Sequence, residues 1–147
     1  MKQKKPPFIF LDHTADIKFV AHGTSLDDAF VSSALATLNV IYDSEKKVDK
    51  KEEKDIIVKG KDYKSLLYNF LEEIIYLVDS ENFLTGEIVG LNIVKEKTGH
   101  YVLKCKLWGD SSRNYKNLDH IKSVTYSEMI IEEDKNKNWM IQVVLDV

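Results

Sequence analysis

Apolar residues recur every three or four positions in two stretches of the chain, which is the spacing of amphipathic helices. The first stretch runs from about Leu26 to Ile41. Ser25 stands where its hydroxyl can cap free backbone N–H groups, so the helix is predicted to begin directly after it. A second helix is predicted after Asp62, because apolar residues such as Leu67 and Leu71 share one face there.

Alternating apolar and polar residues in the rest of the chain predict strands with one buried face. These segments are 8–11, 16–22, 56–58, 87–94, 101–108, 121–131 and 139–147. The element order is therefore β-β-α-β-α-β-β-β-β, with short connections between the later strands. It predicts an α+β fold: a mostly antiparallel or mixed β-sheet with two helices packed on one side.

The remaining segments are predicted to be solvated. Residues 1–7 contain lysines and two prolines, so we expect a disordered basic tail before a single domain over residues 8–147. Residues 44–55 carry many charges of both signs. Because those signs nearly cancel, this run favours a solvated linker over a nucleic-acid patch.

Charge and cysteine content exclude several classes of protein. A net charge of −3 gives the whole chain no attraction to nucleic acid or to anionic membranes. The only cysteine, Cys105, allows neither an internal disulfide nor a thiolate metal cage, and its position in a strand predicts a small buried hydrophobe. With no apolar run long enough to span a bilayer, we expect a cytoplasmic protein.

An acidic cluster is the main candidate for chemistry. Asp12 and Asp16 flank a short polar turn between two strand-like segments, and Asp146 and the terminal Val147 carboxylate end the last strand. Carboxylates that converge on one point need a hard cation such as Ca²⁺, Mg²⁺ or Mn²⁺ between them. Residue spacing does not show that Asp16 lies near Asp146. The alternative to a shared metal site is that Asp16 is a turn or edge residue whose carboxylate bonds to nearby backbone N–H groups.

Two basic residues near these segments have open roles. His13 could be a metal ligand or a general base, but a structural role in the tight turn is favoured. Lys122, early in a strand, could bind a phosphate or carboxylate as a point charge, or be a solvated charge that discourages sheet aggregation. No catalytic triad, glycine-rich phosphate loop, zinc spacing or RNA-binding aromatic motif is present in the sequence.

Taken together, several motifs of the chain resemble the archease family. The most specific are Leu11-Asp12-His13-Thr14-Ala15-Asp16-Ile17 near the start and Val144-Leu145-Asp146-Val147 at the end. The likeness continues, in order, through residues 23–30, 66–73, 108–110 and 121–126, and so covers nearly the whole chain.

The resemblance implies a function that the residues alone do not. Archeases are non-catalytic cofactor proteins of the GTP-dependent tRNA-splicing RNA ligase, so this chain is expected to promote guanylylation of the ligase's own histidine and multiple turnover. It would contact RNA only indirectly and act in the cytoplasm, or in the nucleus of a eukaryote. The family's metal site, for which Ca²⁺ is the expected ion and Mg²⁺ or Mn²⁺ the alternatives, falls here on Asp16, Asp146 and Val147. The family's required lysine falls on Lys122.

Two departures and two rival functions stay open. Asp12 stands where many members have glutamate, and Ser123 replaces the usual alanine after the lysine. Whether Asp12 or His13 joins the metal site is left undecided by the sequence. The rivals are a stand-alone metal-dependent phosphohydrolase that uses the same carboxylates, and a chaperone-like binding module that would tolerate Asp16→Asn.

Overall fold

A computed structural model describes residues 6–12 and 15–147. Within them the chain forms seven strands, two α-helices and one short 3-10 helix, Ser112–Asn114. In chain order the elements are β1 (Phe8–Leu11), β2 (Ile17–Gly23), α1 (Leu26–Ile41), β3 (Glu52–Gly60), α2 (Tyr63–Glu81), β4 (Phe83–Lys95), β5 (Tyr101–Ser111), β6 (Ser123–Glu133) and β7 (Trp139–Asp146). This is the order of strands and helices that the sequence predicts.

Both predicted helices are confirmed, and side chains cap their first turns. The Ser25 hydroxyl accepts the backbone N–H of Asp28 at 3.1 Å, so α1 begins where the sequence places its cap. At the start of α2, Asp62 accepts the backbone N–H of Ser65, and the Ser65 hydroxyl accepts the Asp62 N–H in return. This reciprocal capping box satisfies N–H groups that have no partner within the helix.

The strands divide into two antiparallel sheets. One sheet has the order β1-β2-β7-β6 and the other has the order β3-β5-β4. Helix α1 contacts β1, β2 and β7 of the first sheet and β4 of the second, while α2 contacts β6 and all three strands of the second. The α+β class is therefore confirmed. The division into two sheets was not predicted, because alternation shows which face of a strand is buried but not which strand is its neighbour.

A single hydrophobic core joins the helices to both sheets. Its largest fully buried side chains include Phe19 of β2, Phe30 of α1, Phe70 of α2 and Phe83 of β4. Cys105 of β5 is buried in the same core, as predicted. In the part of the chain that the structure describes, no helix is both long and apolar enough to cross a bilayer.

Several predicted strand boundaries are wrong, among them the start of β4, which is at Phe83 and not at Glu87. The linker predicted over residues 44–55 ends early, because β3 already begins at Glu52 and pairs with β5 from Gly109 onward. Charged residues fit there because β3 is an edge strand with solvent beside it, and Glu53 forms an ion pair with Lys106 at 3.2 Å. Strand β6 begins at Ser123, so Lys122 directly precedes the strand instead of lying within it.

The basic tail predicted over residues 1–7 is described only in part. Residues 1–5 lie outside the described residues. The carbonyl oxygen of Pro7 accepts the backbone N–H of His22 at 2.8 Å, which continues the pairing of β1 with β2 to the residue before β1.

Candidate functional site

Strand β7 brings together the segments that carry the predicted site. On one side of β7, β2 pairs with it so that Ile17 lies opposite Leu145. On the other side, β6 pairs with it so that Ser123 lies opposite Asp146. Asp16 lies one residue before Ile17 and Asp146 one residue after Leu145, so their backbones are at the same end of the sheet.

The described part of the turn before β2 contains a residue with a positive φ, directly before Asp16. Ala15 has a φ of 65°, in the left-handed region that residues with a Cβ adopt at a cost of about 1–2 kcal/mol. Such conformations cluster at functional sites, where the surrounding structure holds them in place. The other residues of this turn, His13 and Thr14, lie outside the described residues, so the structural role predicted for His13 stays a prediction.

A cavity of about 600 Å³ opens at this end of the sheet. It is lined by residues from β1 and the turn after it, from the end of α1, and from the segment before β6. The lining residues are Phe10, Leu11, Asp12, Asp16, Ile17, Asn39, Val40, Asp43, Asp119, His120 and Val147. Four carboxylate side chains thus surround one space, together with the residue that ends the chain.

The electrostatic potential in this cavity is negative. Asp119 donates its backbone N–H to the carbonyl oxygen of Ile41, the last residue of α1, at 2.8 Å. This bond holds Asp119 near Asp43 at the C-terminal end of α1, where the helix dipole is also negative. Among the described lining residues there is no lysine or arginine, and the imidazole of His120 lies 3.4 Å from Asp79.

The predicted site residues have different positions relative to this cavity. Asp12, Asp16 and Val147 line it, whereas the half-buried Asp146 is not among its lining residues. The exposed Lys122 also lies outside the lining, although its backbone N–H donates to the carbonyl oxygen of Asp146 at 2.8 Å. The structure therefore joins the Lys122 backbone to Asp146 without bringing the Lys122 side chain into the cavity.

The donor set suits a hard divalent cation. Carboxylate and carbonyl oxygens are the ligands that Ca²⁺ and Mg²⁺ prefer, and the helix end adds to the attraction. Within residues 6–12 and 15–147, however, no three histidine, cysteine or acidic side chains are already close enough to hold an ion. The carboxylates fit a cation by chemical type, and they would have to approach each other to bind one.

Sequence reasoning missed Asp43, Asp119 and Asn39. Asp43 lies just past the end of α1, and a carboxylate at the negative end of a helix is unfavourable without a cation nearby. That signal was available from the predicted end of the helix near Ile41. Nothing in the spacing of Asp119 indicated that its segment would bond to the end of α1.

The Trp108-Gly109-Asp110 motif lies elsewhere and holds the structure together. Asp110 is buried and accepts hydrogen bonds from the Ser111 backbone N–H at 2.8 Å and the Tyr115 hydroxyl at 3.0 Å. Burial alone would raise the pKa of Asp110, but these bonds and the Asn114 amide hold it below its usual range. Asp110 thereby stabilises the turn that follows β5.

A polar contact between α2 and β6 positions the segment that contains Lys122. The Glu72 carboxylate accepts the backbone N–H of Val124 at 2.7 Å. Glu72 is half-buried, because the start of β6 covers part of this face of α2. The contact anchors the first residues of β6 to the helix, directly after Lys122.

Comparison with known proteins gives one consistent result. The model of the Archease protein family (MTH1598/TM1083) matches residues 8–147. Protein archease of Pyrococcus furiosus is 38% identical over 138 residues, which cover 92% of this chain and 95% of that protein. Protein archease of Methanosarcina mazei is 32% identical over 149 residues and is aligned over 100% of both chains.

The fold gives the same answer. The solution structure of Methanobacterium thermoautotrophicum protein 1598 superposes with a TM-score of 0.80 at 30% identity, covering 96% of this chain and 99% of that chain. The sequence match extends over nearly every element described above, including both segments that meet at β7. The chain belongs to the archease family.

Proposed function

We propose that this chain is a non-catalytic accessory protein that activates the GTP-dependent tRNA-splicing RNA ligase in the cytoplasm. It promotes guanylylation of the ligase's histidine and allows each ligase molecule to turn over many times. A divalent metal ion, with Ca²⁺ as the first candidate, is held by Asp16, Asp146 and the terminal carboxylate of Val147. The observation that supports the proposal is that strand pairing and one backbone hydrogen bond bring the backbones of Asp16, Asp146 and Lys122 to one end of β7.

The chain's own residues have separate roles in this proposal. Asp16 and Asp146 bind the ion from neighbouring strands, and the β2–β7 pairing keeps their backbones in register. The ion, when bound, supplies positive charge that stabilises phosphate oxygens. Lys122 supplies a second positive charge from just outside the cavity. Since its backbone is bonded to Asp146 and the next strand is anchored by Glu72, its position is tied to that of the metal site.

The second possible mechanism is conformational. In that case the domain holds the ligase in its guanylylation-competent state, and the ion only fixes the C-terminus of this chain. The apolar side chains around the cavity favour contact with a protein surface, because Phe10, Leu11 and Val147 are 43%, 37% and 39% exposed. The two mechanisms differ in whether stimulation needs the ion.

Multiple-turnover ligation separates these possibilities. A purified cognate ligase is given RNA with a 2′,3′-cyclic phosphate end and RNA with a 5′-hydroxyl end, and the chain is added at a substoichiometric amount. We expect the ligase to seal the RNA ends faster when this chain is present. Removal of tightly bound metal from this chain before mixing should abolish that increase in rate. Full stimulation by the metal-free chain would support the conformational mechanism instead.

The chain alone with GTP is the control for a phosphohydrolase. An accessory protein releases no phosphate without the ligase, whereas a hydrolase consumes nucleotide by itself. No stimulation of a cognate ligase by the wild-type chain would contradict the proposed function.

A further inference from the structure

A second cavity, of about 430 Å³, lies on the other side of Asn39 from the acidic one. Its wall combines an apolar floor with lysines at the rim. The lining residues are Phe8, Leu35, Leu38, Asn39, Tyr42, Ser44, Lys46, Lys47, Val48, Lys50, Leu84, Thr85, Gly86 and Glu87. Asn39 lines both cavities, so the two spaces are neighbours.

The mixed-charge run before β3 contributes three lysines, and none of its acidic residues, to the wall of this cavity. Lys46, Lys47 and Lys50 line the cavity, whereas Glu45 and Asp49 of the same run do not. The charges of this run nearly cancel along the sequence, but the side chains that it places at the rim of the cavity are positive. One lysine of the rim is neutralised, since Lys50 lies 2.9 Å from the carboxylate of Glu87.

Two lysines remain for a ligand. Within the part of the chain that is described, Lys47 forms no ion pair, and the ammonium group of Lys46 lies only over the ring of Tyr115, at 5.7 Å. A lysine ammonium is a compact charge that binds phosphate groups well. The rim thus offers about two unneutralised positive charges to an anion.

The wall also contains a polar group without a partner. Thr85 is 3% exposed, and its hydroxyl forms no hydrogen bond with any group in the described residues. Buried hydroxyls in folded proteins are almost always hydrogen-bonded. Thr85 precedes an irregularity in the β4–β5 pairing, where Gly86 has no partner in the ladder and packs against Val48.

The floor of the cavity suits a flat apolar group. Leu35, Leu38 and the half-buried Tyr42 lie along the second half of α1 and just after it, and the Tyr42 ring packs edge-on against Tyr115 with centroids 5.3 Å apart. Aromatic and aliphatic side chains of this kind support nucleobases, and the cavity has the volume of a small-ligand site. The amide of Asn39 can donate and accept hydrogen bonds at the side shared with the acidic cavity.

We propose that this cavity binds one nucleotide unit. Its phosphate lies by Lys46 and Lys47, its base lies against the floor formed by Leu35, Leu38 and Tyr42, and the Thr85 hydroxyl gains a polar partner after a rotation of its side chain. The nucleotide is either free or part of an RNA strand. This assignment does not depend on the proposed activation of the ligase, since it rests only on residues outside the acidic cavity and on the shared Asn39.

Calorimetric titration of the full chain, without ligase, tests the assignment. The probes are GMP, GTP, inorganic phosphate and a short single-stranded RNA, each at low and moderate salt. A nucleotide site binds GMP or GTP more tightly than inorganic phosphate, and the affinity falls as salt rises. Tighter binding of the free nucleotides than of RNA identifies a mononucleotide site, while the reverse identifies a strand-binding site, and each result supports a nucleotide unit in the cavity.

Three variants connect binding to the cavity. The double variant Lys46→Glu/Lys47→Glu is expected to weaken nucleotide binding by about tenfold or more, because it reverses both free charges of the rim. Thr85→Val replaces only the hydroxyl, with a methyl group, and is expected to weaken binding by about threefold or more. Thr85→Ser keeps a hydroxyl and should bind like the wild type. The control is Lys97→Glu, which changes the charge of an exposed lysine in the turn between β4 and β5 and should leave binding unchanged.

Several results would overturn the proposal. They are no saturable binding of any nucleotide probe, equal binding of GMP and inorganic phosphate, or equal losses in the rim double variant and in Lys97→Glu. A urea-unfolding curve for each variant shows that the fold is intact, so a loss of binding can be assigned to the cavity. None of these results bears on ligase stimulation, so the two proposals can fail separately.

Discussion

Lys122 donates its backbone N–H to the carbonyl oxygen of Asp146 at 2.8 Å. This bond joins two segments that are separated along the chain by β6, the hairpin and β7. Since Ile17 pairs with Leu145 on the other side of β7, the candidate metal residues and Lys122 share one end of one sheet. We propose that this end of the sheet acts as a unit when the ligase is activated.

Loss of either strand carboxylate should weaken ion binding. Asp16→Ala and Asp146→Ala each remove a charged oxygen that we propose as a ligand, and we expect Ca²⁺ affinity to fall by at least about tenfold, since even groups that only orient ligands contribute that much. Calorimetric titration with Ca²⁺ measures the effect. Asp55→Ala, which removes an exposed carboxylate from β3, is the matched control and should bind like the wild type.

The two carboxylates that sequence reasoning missed should have smaller effects. Asp43 and Asp119 line the cavity, and we expect each to act on the ion through the local field. Asp119→Asn is then expected to weaken Ca²⁺ binding by only about threefold, the effect of one charge acting through a water-like medium. A loss as large as that of Asp16→Ala would make Asp119 a direct ligand and revise the site.

Lys122 should affect activity without affecting ion binding. Its side chain lies outside the cavity, so Lys122→Ala should leave Ca²⁺ affinity unchanged while stimulation of the ligase falls by at least about tenfold, as is usual when a charge that stabilises phosphate is removed. Lys122→Arg keeps the charge and should recover part of the stimulation. A parallel fall in Ca²⁺ affinity and stimulation would mean that Lys122 acts through the metal site instead.

Much of the fold could be predicted because its local signals agree. Ser25 and Asp62 precede apolar stripes with a period of about 3.6 residues, and both helices begin directly after these caps. A glycine within a strand pattern indicates a bulge, and the β4–β5 register does shift around Gly90, whose φ is 66°. Each of these features depends on residues that are close together in the sequence.

The site was less predictable because it depends on pairing between distant strands. The carboxylates of Asp16 and Asp146 are evident in the sequence, but only the order β2-β7-β6 makes their strands neighbours. Residue types likewise do not show that Asp119 bonds to the end of α1, or that three lysines of one mixed run line a cavity. Family resemblance supplied the metal assignment that residue spacing left open.

Gly109 is predicted to be required for stability because a Cβ has no room there. A Cβ at Gly109 would overlap the carbonyl oxygen of Leu84, and that oxygen belongs to the neighbouring strand backbone. We expect Gly109→Ala to lower the free energy of unfolding by roughly 1–3 kcal/mol or more, as overpacked cores do. Urea unfolding measures this.

Gly90→Asn is the control for this variant. A Cβ at Gly90 meets no atom within 4 Å, and asparagine tolerates a positive φ, so little change is expected. Equal stability of Gly109→Ala and the wild type would show that β4 can move away from β5 at no cost.

Ionisation of the Cys105 thiol should lower the stability of the fold at alkaline pH. Burial, helped by the charge of Asp55, raises the pKa of the Cys105 thiol to about 11 from its ordinary value of 9.0. The thiol ionises at a lower pH in the unfolded chain than in the folded one. Its contribution to the free energy of unfolding is therefore complete below about pH 9 and is lost as the pH rises through about 11. Urea unfolding at several pH values measures the loss.

Cys105→Ala isolates this contribution from those of the tyrosines. The pKa values of Tyr63, Tyr115 and Tyr126 are also raised by burial, so the wild type and the variant should both lose stability in alkali. The wild type should lose more of it between about pH 9 and 11 than Cys105→Ala does. Identical slopes for the two proteins would mean that the thiol ionises freely in the folded state.

The rate at which radioactive GTP labels a purified tRNA-splicing ligase tests most directly whether this end of the sheet acts as a unit. The ligase is mixed with substoichiometric wild-type chain, Asp16→Ala, Asp146→Ala, Lys122→Ala or the control Asp55→Ala. The account predicts faster labelling with the wild type and Asp55→Ala, and labelling near the ligase-only rate with the other three. Undiminished acceleration by the Asp16, Asp146 and Lys122 variants, or none by the wild type, would contradict it.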